Sequence, residues 1–226
     1  MSVTTVDKFA FPADSRTTLG TGLAVAIYYP AGMANSGTAG YFGGGSGPTT
    51  AVDKFAFSDD SRTTLGTGLA TATRLLAAMA NSGTAGYFGG GYTSGKVTTV
   101  DKFAFSDDSR STLGTGLSVA RNQLTGFANS GTAGYFAAGD STAIDKFAFS
   151  DDSRTTLSAT LTRYLWGPAG FADSGVAGYV ASGMLASTWY DAVEKISFAD
   201  DSKSVLSVTT SSGRSFMSGC ATCASL

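Results

Sequence analysis

The chain contains no histidine. That removes every catalytic triad built on imidazole, the common zinc sites and the usual general base near neutral pH. Only two cysteines are present, Cys220 and Cys223, both in the last seven residues. A disulfide framework for the bulk of the chain is excluded. Charged residues are scarce, at 14%, the net charge is −2, and no basic run occurs. Nucleic-acid binding needs clustered Lys and Arg to displace counterions, so that class is disfavoured. Every apolar stretch is broken within a few residues by Gly, Ser or Asp, which predicts no transmembrane helix and no membrane insertion. The start, Met1-Ser2-Val3-Thr4-Thr5, has neither a charged n-region nor an apolar h-region and predicts no secretory signal.

Apolar residues, by contrast, reach 42%, with 15 Phe and 9 Tyr. Disordered chains are poor in aromatics, so these 226 residues predict a buried core and a single domain over 1–226. The 30 glycines are not spread as a linker but fall at fixed places in a repeat.

The repeat is explicit. Val6-Asp7-Lys8-Phe9-Ala10-Phe11 returns at Val52, Val100, Ile144 and Val193. Its acid falls at Asp7, Asp53, Asp101, Asp145 and Glu194, at steps of 46, 48, 44 and 49 residues. A second segment, Ala34-Asn35-Ser36-Gly37-Thr38-Ala39-Gly40-Tyr41-Phe42, returns at Ala80, Ala128 and Ala172. Each unit divides into four short runs. In the unit from Arg74 they are Leu75 to Asn81, Ala85 to Gly91, Thr98 to Phe105 and Ser111 to Leu117, separated by Asn-Ser-Gly and Ser-Asp-Asp-Ser turn chemistry. The runs are too short for helices and lack a 3.6-residue period. Four antiparallel strands per unit of this length predict a β-propeller, in which stacked blades bury one another's faces.

Tyr41-Phe42-Gly43-Gly44, Tyr87-Phe88-Gly89-Gly90 and Tyr135-Phe136-Ala137-Ala138-Gly139 resemble the aromatic–double-glycine strand of kelch repeats. An Arg often stands before the first strand, at Arg74, Arg121, Arg163 and Arg214. The fourth-strand Trp of kelch repeats is replaced by Leu65, Leu113 and Leu157. The wording is also similar to kelch-like repeats in structural proteins of bacteriophages, notably cyanophages. The resemblance implies an all-β, five-bladed propeller of four-stranded antiparallel blades.

The chain starts inside a unit. The phase predicts a last blade built from both ends, with N-terminal strands three and four beside a C-terminal strand one around Arg214 to Ala221. No Gly-Tyr-Phe-Gly-Gly copy follows Cys223, which leaves 19 strands where five full blades need 20: either that blade is short, or the terminal residues improvise, or a neighbouring chain supplies the strand.

Other motifs have plainer readings. Gly90-Gly91-Tyr92-Thr93-Ser94-Gly95-Lys96 matches most of a phosphate-binding loop, but Val97 and then a strand follow, so it predicts a hairpin. The pairs Asp59-Asp60, Asp107-Asp108, Asp151-Asp152 and Asp200-Asp201 sit beside Arg62, Arg110, Arg154 and Lys203. Calcium needs six to eight oxygens, and these predict tight turns with a local ion pair instead. Asp7-Lys8 and its copies predict pairing between neighbouring blades. Cys220-Ala221-Thr222-Cys223 lacks both a helix start and a second pair, so it predicts neither a redox nor a zinc site. No cofactor and no metal is expected.

Variation among units gathers before strand one and between strands two and three, and in an up-and-down blade both places share one rim. Its candidate partner-binding residues are Tyr28, Tyr29, Arg74, Tyr92, Lys96, Arg121, Asn122, Gln123, Arg163, Tyr164, Trp166, Trp189 and Tyr190. Tyr, Trp and Arg are the types enriched at interface hot spots. The expectation is a non-enzymatic structural or adhesive component of a virion or other extracellular assembly, otherwise cytoplasmic, holding a protein neighbour or a host-surface receptor. The alternative is a glycan-binding propeller lectin.

Overall fold

The computed structural model describes residues 3–10, 13–47 and 49–216, with the backbone of a short strand at 221–222. Phe11, Pro48, Cys220 and Cys223 lie outside the described residues. Strands and turns, with no helix, make up the described chain.

Sheet I pairs β1 (Asp7–Ala10) with β2 (Ser15–Thr18). Sheet II is β3 (Ala31–Asn35), β4 (Ala39–Gly43), β5 (Val52–Ala56) and β6 (Arg62–Thr64), in that order. Sheet III is β7 (Ala77–Asn81), β8 (Ala85–Gly89), β9 (Val100–Ala104) and β10 (Arg110–Thr112). Sheet IV is β11 (Leu124–Asn129), β12 (Ala133–Ala138), β13 (Ile144–Ala148) and β14 (Arg154–Thr156). Sheet V is β15 (Ala169–Asp173), β16 (Ala177–Leu185), β17 (Thr188–Ser197) and β18 (Lys203–Val205), with β19 (Ala221–Thr222) on the outer side of β15. Each sheet is open, and all pairings are antiparallel except β15 with β19. The architecture is all-β and propeller-like.

In the unit from Arg74 the first three observed strands fall inside the runs read from the sequence, while the fourth, Arg110–Thr112, begins one residue before its run and is only three residues long. Among the described residues the expected joining of the two termini in one sheet is not seen: β19 pairs in parallel with β15, and β1 pairs only with β2. The reason lies in the ladder order. In each four-stranded sheet strand two lies between strands one and three, which do not bond each other. Without a second strand between them, β19 and β1 have no ladder to share.

The sheets interlock through the repeat's small residues. A Cβ on Gly86 would lie 2.2 Å from Met33 Sδ, one on Gly134 equally close to Met79 Sδ, and one on Gly178 2.1 Å from Phe127. In each case a large side chain of one sheet's first strand enters the next sheet's second strand. In the other direction the Phe88 ring fills the space over Gly43, and Phe136 that over Gly89. The next pair exchanges volume: Ala137 replaces the glycine and Val180 the phenylalanine, and both are buried in the same cluster.

Polar contacts repeat with the same step. Tyr41 Oη donates to Asp108 Oδ1 at 2.8 Å, while Lys54 Nζ reaches Asp108 Oδ2 at 2.7 Å. Tyr87 and Lys102 hold Asp152 in the same way, and Tyr135 and Lys146 hold Asp201. The strand-three Lys therefore pairs between sheets, as expected. The turn carboxylates differ from expectation, because no local Arg takes them. The first Asp of each pair accepts the backbone N–H two residues on, as in Asp59 with Ser61. The second adopts a left-handed φ near 58° in Asp60, Asp108, Asp152 and Asp201 and faces the preceding sheet. Arg62 and Arg110 instead pair with Asp53 and Asp101 on their own sheets. The second oxygen of those acids accepts a backbone N–H from the loop linking the sheets, Ala24 for Asp53 and Ala70 for Asp101.

The constancy of Asn-Ser-Gly has a similar cause. Asn35 Oδ1 accepts from the N–H of Gly83, Asn81 from Gly131 and Asn129 from Gly175, so each turn is tied to the next.

Candidate functional site

The opposite end is not uniform. The chain enters each of the four first strands through a residue in the left-handed region, Tyr29 (φ 59°), Leu75 (58°), Gln123 (54°) and Gly167 (60°), and Phe216 (55°), beyond the last sheet, shares that conformation. Four of the five are not glycine, and for bulky residues this conformation costs of order 1–3 kcal/mol each and is held by its surroundings. Here the holding is visible. Gln123 N–H donates to Leu75 O at 2.8 Å, Gly167 N–H to Gln123 O at 2.9 Å and Phe216 N–H to Gly167 O at 2.7 Å. The Tyr29 and Phe216 rings lie 5.0 Å apart. All five residues line one cavity of about 210 Å³, whose walls include Ala31, Ala77, Thr125 and Gly170 of the four first strands. Gln123 Oε1 is buried there without a hydrogen-bond partner.

Around this mouth the loops between strands two and three fold back onto the strand-one entries. Backbone bridges join Tyr28 to Ser46, Arg74 to Tyr92 and Trp166 to Met184. This pairing brings together most of the residues expected on the rim. The Arg74 guanidinium stands 5.0 Å from the Tyr92 ring centroid, and Arg163 stands 4.6 Å from that of Tyr190, both within cation–π range. Tyr28 and Tyr29 are half exposed and meet edge to face at 5.2 Å. Tyr164 is exposed and lies 6.4 Å from Trp166, while Trp189 is 64% exposed. Asp140 ties three loops together. One oxygen accepts from Trp166 Nε1 at 3.0 Å and meets Lys96 Nζ at 3.1 Å, and the other accepts the Asn122 N–H at 3.3 Å.

Two expected rim residues turn inward. Arg121 is fully buried: its Nη2 meets Asp145 Oδ2 at 2.8 Å and Phe136 O at 3.0 Å, and its Nη1 donates to Ala143 O. Asn122 is buried too. The reason is the partner set. Arg74 stands one residue before its left-handed residue, Arg121 and Arg214 two before and Arg163 four before. Arg121 meets Asp145 and two interior carbonyls, whereas Arg214 at the same spacing meets only Ser211 and Ser212 and stays exposed. Asp140, Leu75, Gly167 and Phe216 were missed. Asp140 stood in a loop already marked as variable, but nothing local showed its partners.

Gly90 to Lys96 is a hairpin, with Tyr92 bridging Lys96 and a strand rather than a helix behind it. Among the described residues, no group of three or more His, Cys, Asp or Glu is placed to hold a metal ion.

No family model and no curated protein matches the chain. Among solved structures it is similar to that of YjhT, with a TM-score of 0.69 and 16% identity over 84% of this chain and 68% of that one. At that identity the likeness speaks for the propeller-like fold alone.

Proposed function

We propose that the chain is a five-bladed propeller of kelch type that acts as a non-enzymatic structural or adhesive module, part of a virion or other extracellular assembly. Its variable rim holds a protein neighbour or a host-surface receptor. The observation that carries this reading is the contrast between the two ends. One end repeats the same Asn-mediated tie from sheet to sheet. The other presents different residues at equivalent places around a single mouth, with Tyr28, Tyr29, Tyr164 and Trp189 exposed. Exposed aromatics beside pre-formed Arg–aromatic pairs suit a macromolecular contact. The cavity, at about 210 Å³, is smaller than the usual pocket for a small ligand.

The test is photo-crosslinking in the native assembly. A photoreactive phenylalanine replaces Trp189 or Tyr164 on the variable rim, or Ser82 in the constant turns. Crosslinks to one partner from 189 and 164, with little from 82, support the reading. Equal yields from both ends overturn it. Saturable binding to free glycans that depends on Trp189 would replace it with the lectin reading.

A further inference from the structure

Sheet I differs from the others in ways that point to one ligand. Its edge strand β1 bonds only β2, so its other row of N–H and C=O groups is unpaired among the described residues. Phe9 is 58% exposed, whereas its counterparts Phe55, Phe103, Phe147 and Ile196 are buried. The buried phenylalanines each meet a second-strand ring edge to face: Phe42 on Phe55 at 5.9 Å, Phe88 on Phe103 at 5.7 Å and Phe136 on Phe147 at 6.0 Å. The inter-sheet clamp differs as well. Elsewhere a second-strand Tyr takes one oxygen of the turn Asp and Lys the other, but Lys8 reaches both oxygens of Asp60, at 2.9 Å each. At the far end of the chain, Phe171 of β15 is the counterpart of Phe127, which enters the next sheet at Gly178. Phe171 is only partly buried and stacks on Tyr179 of its own sheet.

We propose that the open edge of β1 accepts one extended strand of another polypeptide, antiparallel and reading Ala-Gly-Tyr-Phe-Gly. Its register follows from the complete sheets, where Ala39, Gly40, Tyr41 and Phe42 oppose Ala56, Phe55, Lys54 and Asp53. On β1 the corresponding Ala, Gly, Tyr and Phe oppose Ala10, Phe9, Lys8 and Asp7. The added Phe covers Phe9, the Tyr hydroxyl takes an oxygen of Asp60, and the Gly leaves room for Phe171. Backbone pairing supplies affinity and the side chains supply selectivity, as in other strand-addition complexes. The edge, Phe9 and Asp60 stand without the five-bladed arrangement proposed above; only the role of Phe171 rests on it.

The test uses the full chain and a capped synthetic peptide of Thr84–Gly91, with a scrambled peptide as control. Saturable binding is expected, with slowed amide exchange confined to β1 and its surroundings. The Tyr87→Phe peptide should bind at least about tenfold more weakly, having lost one hydrogen bond to a carboxylate. The Phe9→Ala chain should also bind more weakly. If excess parent peptide leaves β1 exchange unchanged, the proposal is overturned. If the Gly86→Ala peptide binds as well as the parent, the edge stands but the neighbouring Phe171, and with it the five-bladed ring, does not. A chain that dimerises and is returned to monomer by the parent peptide supports the proposal, with a second copy as donor.

Discussion

The rings of Tyr29 and Phe216 meet at 5.0 Å with a 33° tilt, although one residue precedes the first complete sheet and the other follows the last. This contact brings the two ends of the repeat array together at the cavity mouth. A double-mutant cycle with Tyr29→Ala and Phe216→Ala measures it. Aromatic pairs are coupled by about 0.5–1.5 kcal/mol, and a coupling in that range is expected in urea unfolding. Simple additivity would show that the ends do not meet in solution.

Glycine placement gives a second expectation. A methyl on Gly126 would lie 2.3 Å from the carbonyl oxygen of Ala78, a backbone atom with nowhere to go. On Gly86 the obstacle is the flexible end of Met33. Gly86→Ala should therefore cost about 1–3 kcal/mol and Gly126→Ala more. Adding Met33→Ala to Gly86→Ala should recover part of the loss, measured as the shift in urea midpoint. A Met33→Ala/Gly86→Ala chain less stable than either single variant would contradict the interlocking of sheets II and III.

These positions show what was legible in the sequence. The strands were, because Asn-Ser-Gly and Asp-Asp-Ser turns are local chemistry and mark their ends wherever they occur. The Lys-to-neighbour pairing was also legible, since a Lys on a covered strand needs a counter-charge. The identity of its partner was not. Asp108 lies 54 residues from Lys54, and a turn Asp looks the same whether or not a lysine reaches it. On the rim, Tyr92, Tyr164 and Trp189 were found from variability and residue type, but Arg121 misled. Arg214 has the same spacing and stays exposed; what carries the Arg121 guanidinium into the interior is Asp145, a partner 24 residues away that the entry loop does not show.

Arg121 consequently predicts the reverse of what a rim residue would. Both it and Asp145 are fully buried, and Asp145 also accepts from Ser118 N–H and the Thr156 hydroxyl. Arg121→Met leaves that carboxylate without its counter-ion, a change that costs about 3–5 kcal/mol. Trp189→Ala, on the exposed rim, should stay within about 0.5 kcal/mol of the parent. The two variants, compared by thermal and urea unfolding, should separate clearly. If Arg121→Met unfolds like the parent, the buried pair is not formed in solution.

The repeated turns and clamps also fix the response to pH, with opposite signs at the two extremes. Hydrogen bonds from the Ser61, Ser109, Ser153 and Ser202 side chains, joined at Asp200 by the Ser197 side chain, and then from the backbone N–H groups of the same four serines, hold Asp59, Asp107, Asp151 and Asp200 below their ordinary 3.8. A lowered carboxylate contributes stability that is present above 3.8 and is lost as pH falls toward the folded value. Replacing the four serines with alanine should lower stability at neutral pH, and the gap from the parent should close in acid. On the alkaline side Tyr41, Tyr87 and Tyr135 are raised above 10.0, chiefly by burial and then by Asp108, Asp152 and Asp201. Such phenols stay protonated in the folded chain after the unfolded chain has begun to ionise. Stability is unaffected below pH 10.0 and falls as pH rises past it. Tyrosinate absorbance should therefore appear for these residues only as the fold is lost. Tyr87→Phe removes one such group along with its bond to the Asp152 carboxylate, so it should cost about 1.5–3 kcal/mol at neutral pH yet flatten the alkaline fall. An alkaline limb of unchanged slope in that variant would mean Tyr87 is open to solvent and its clamp on Asp152 is not formed.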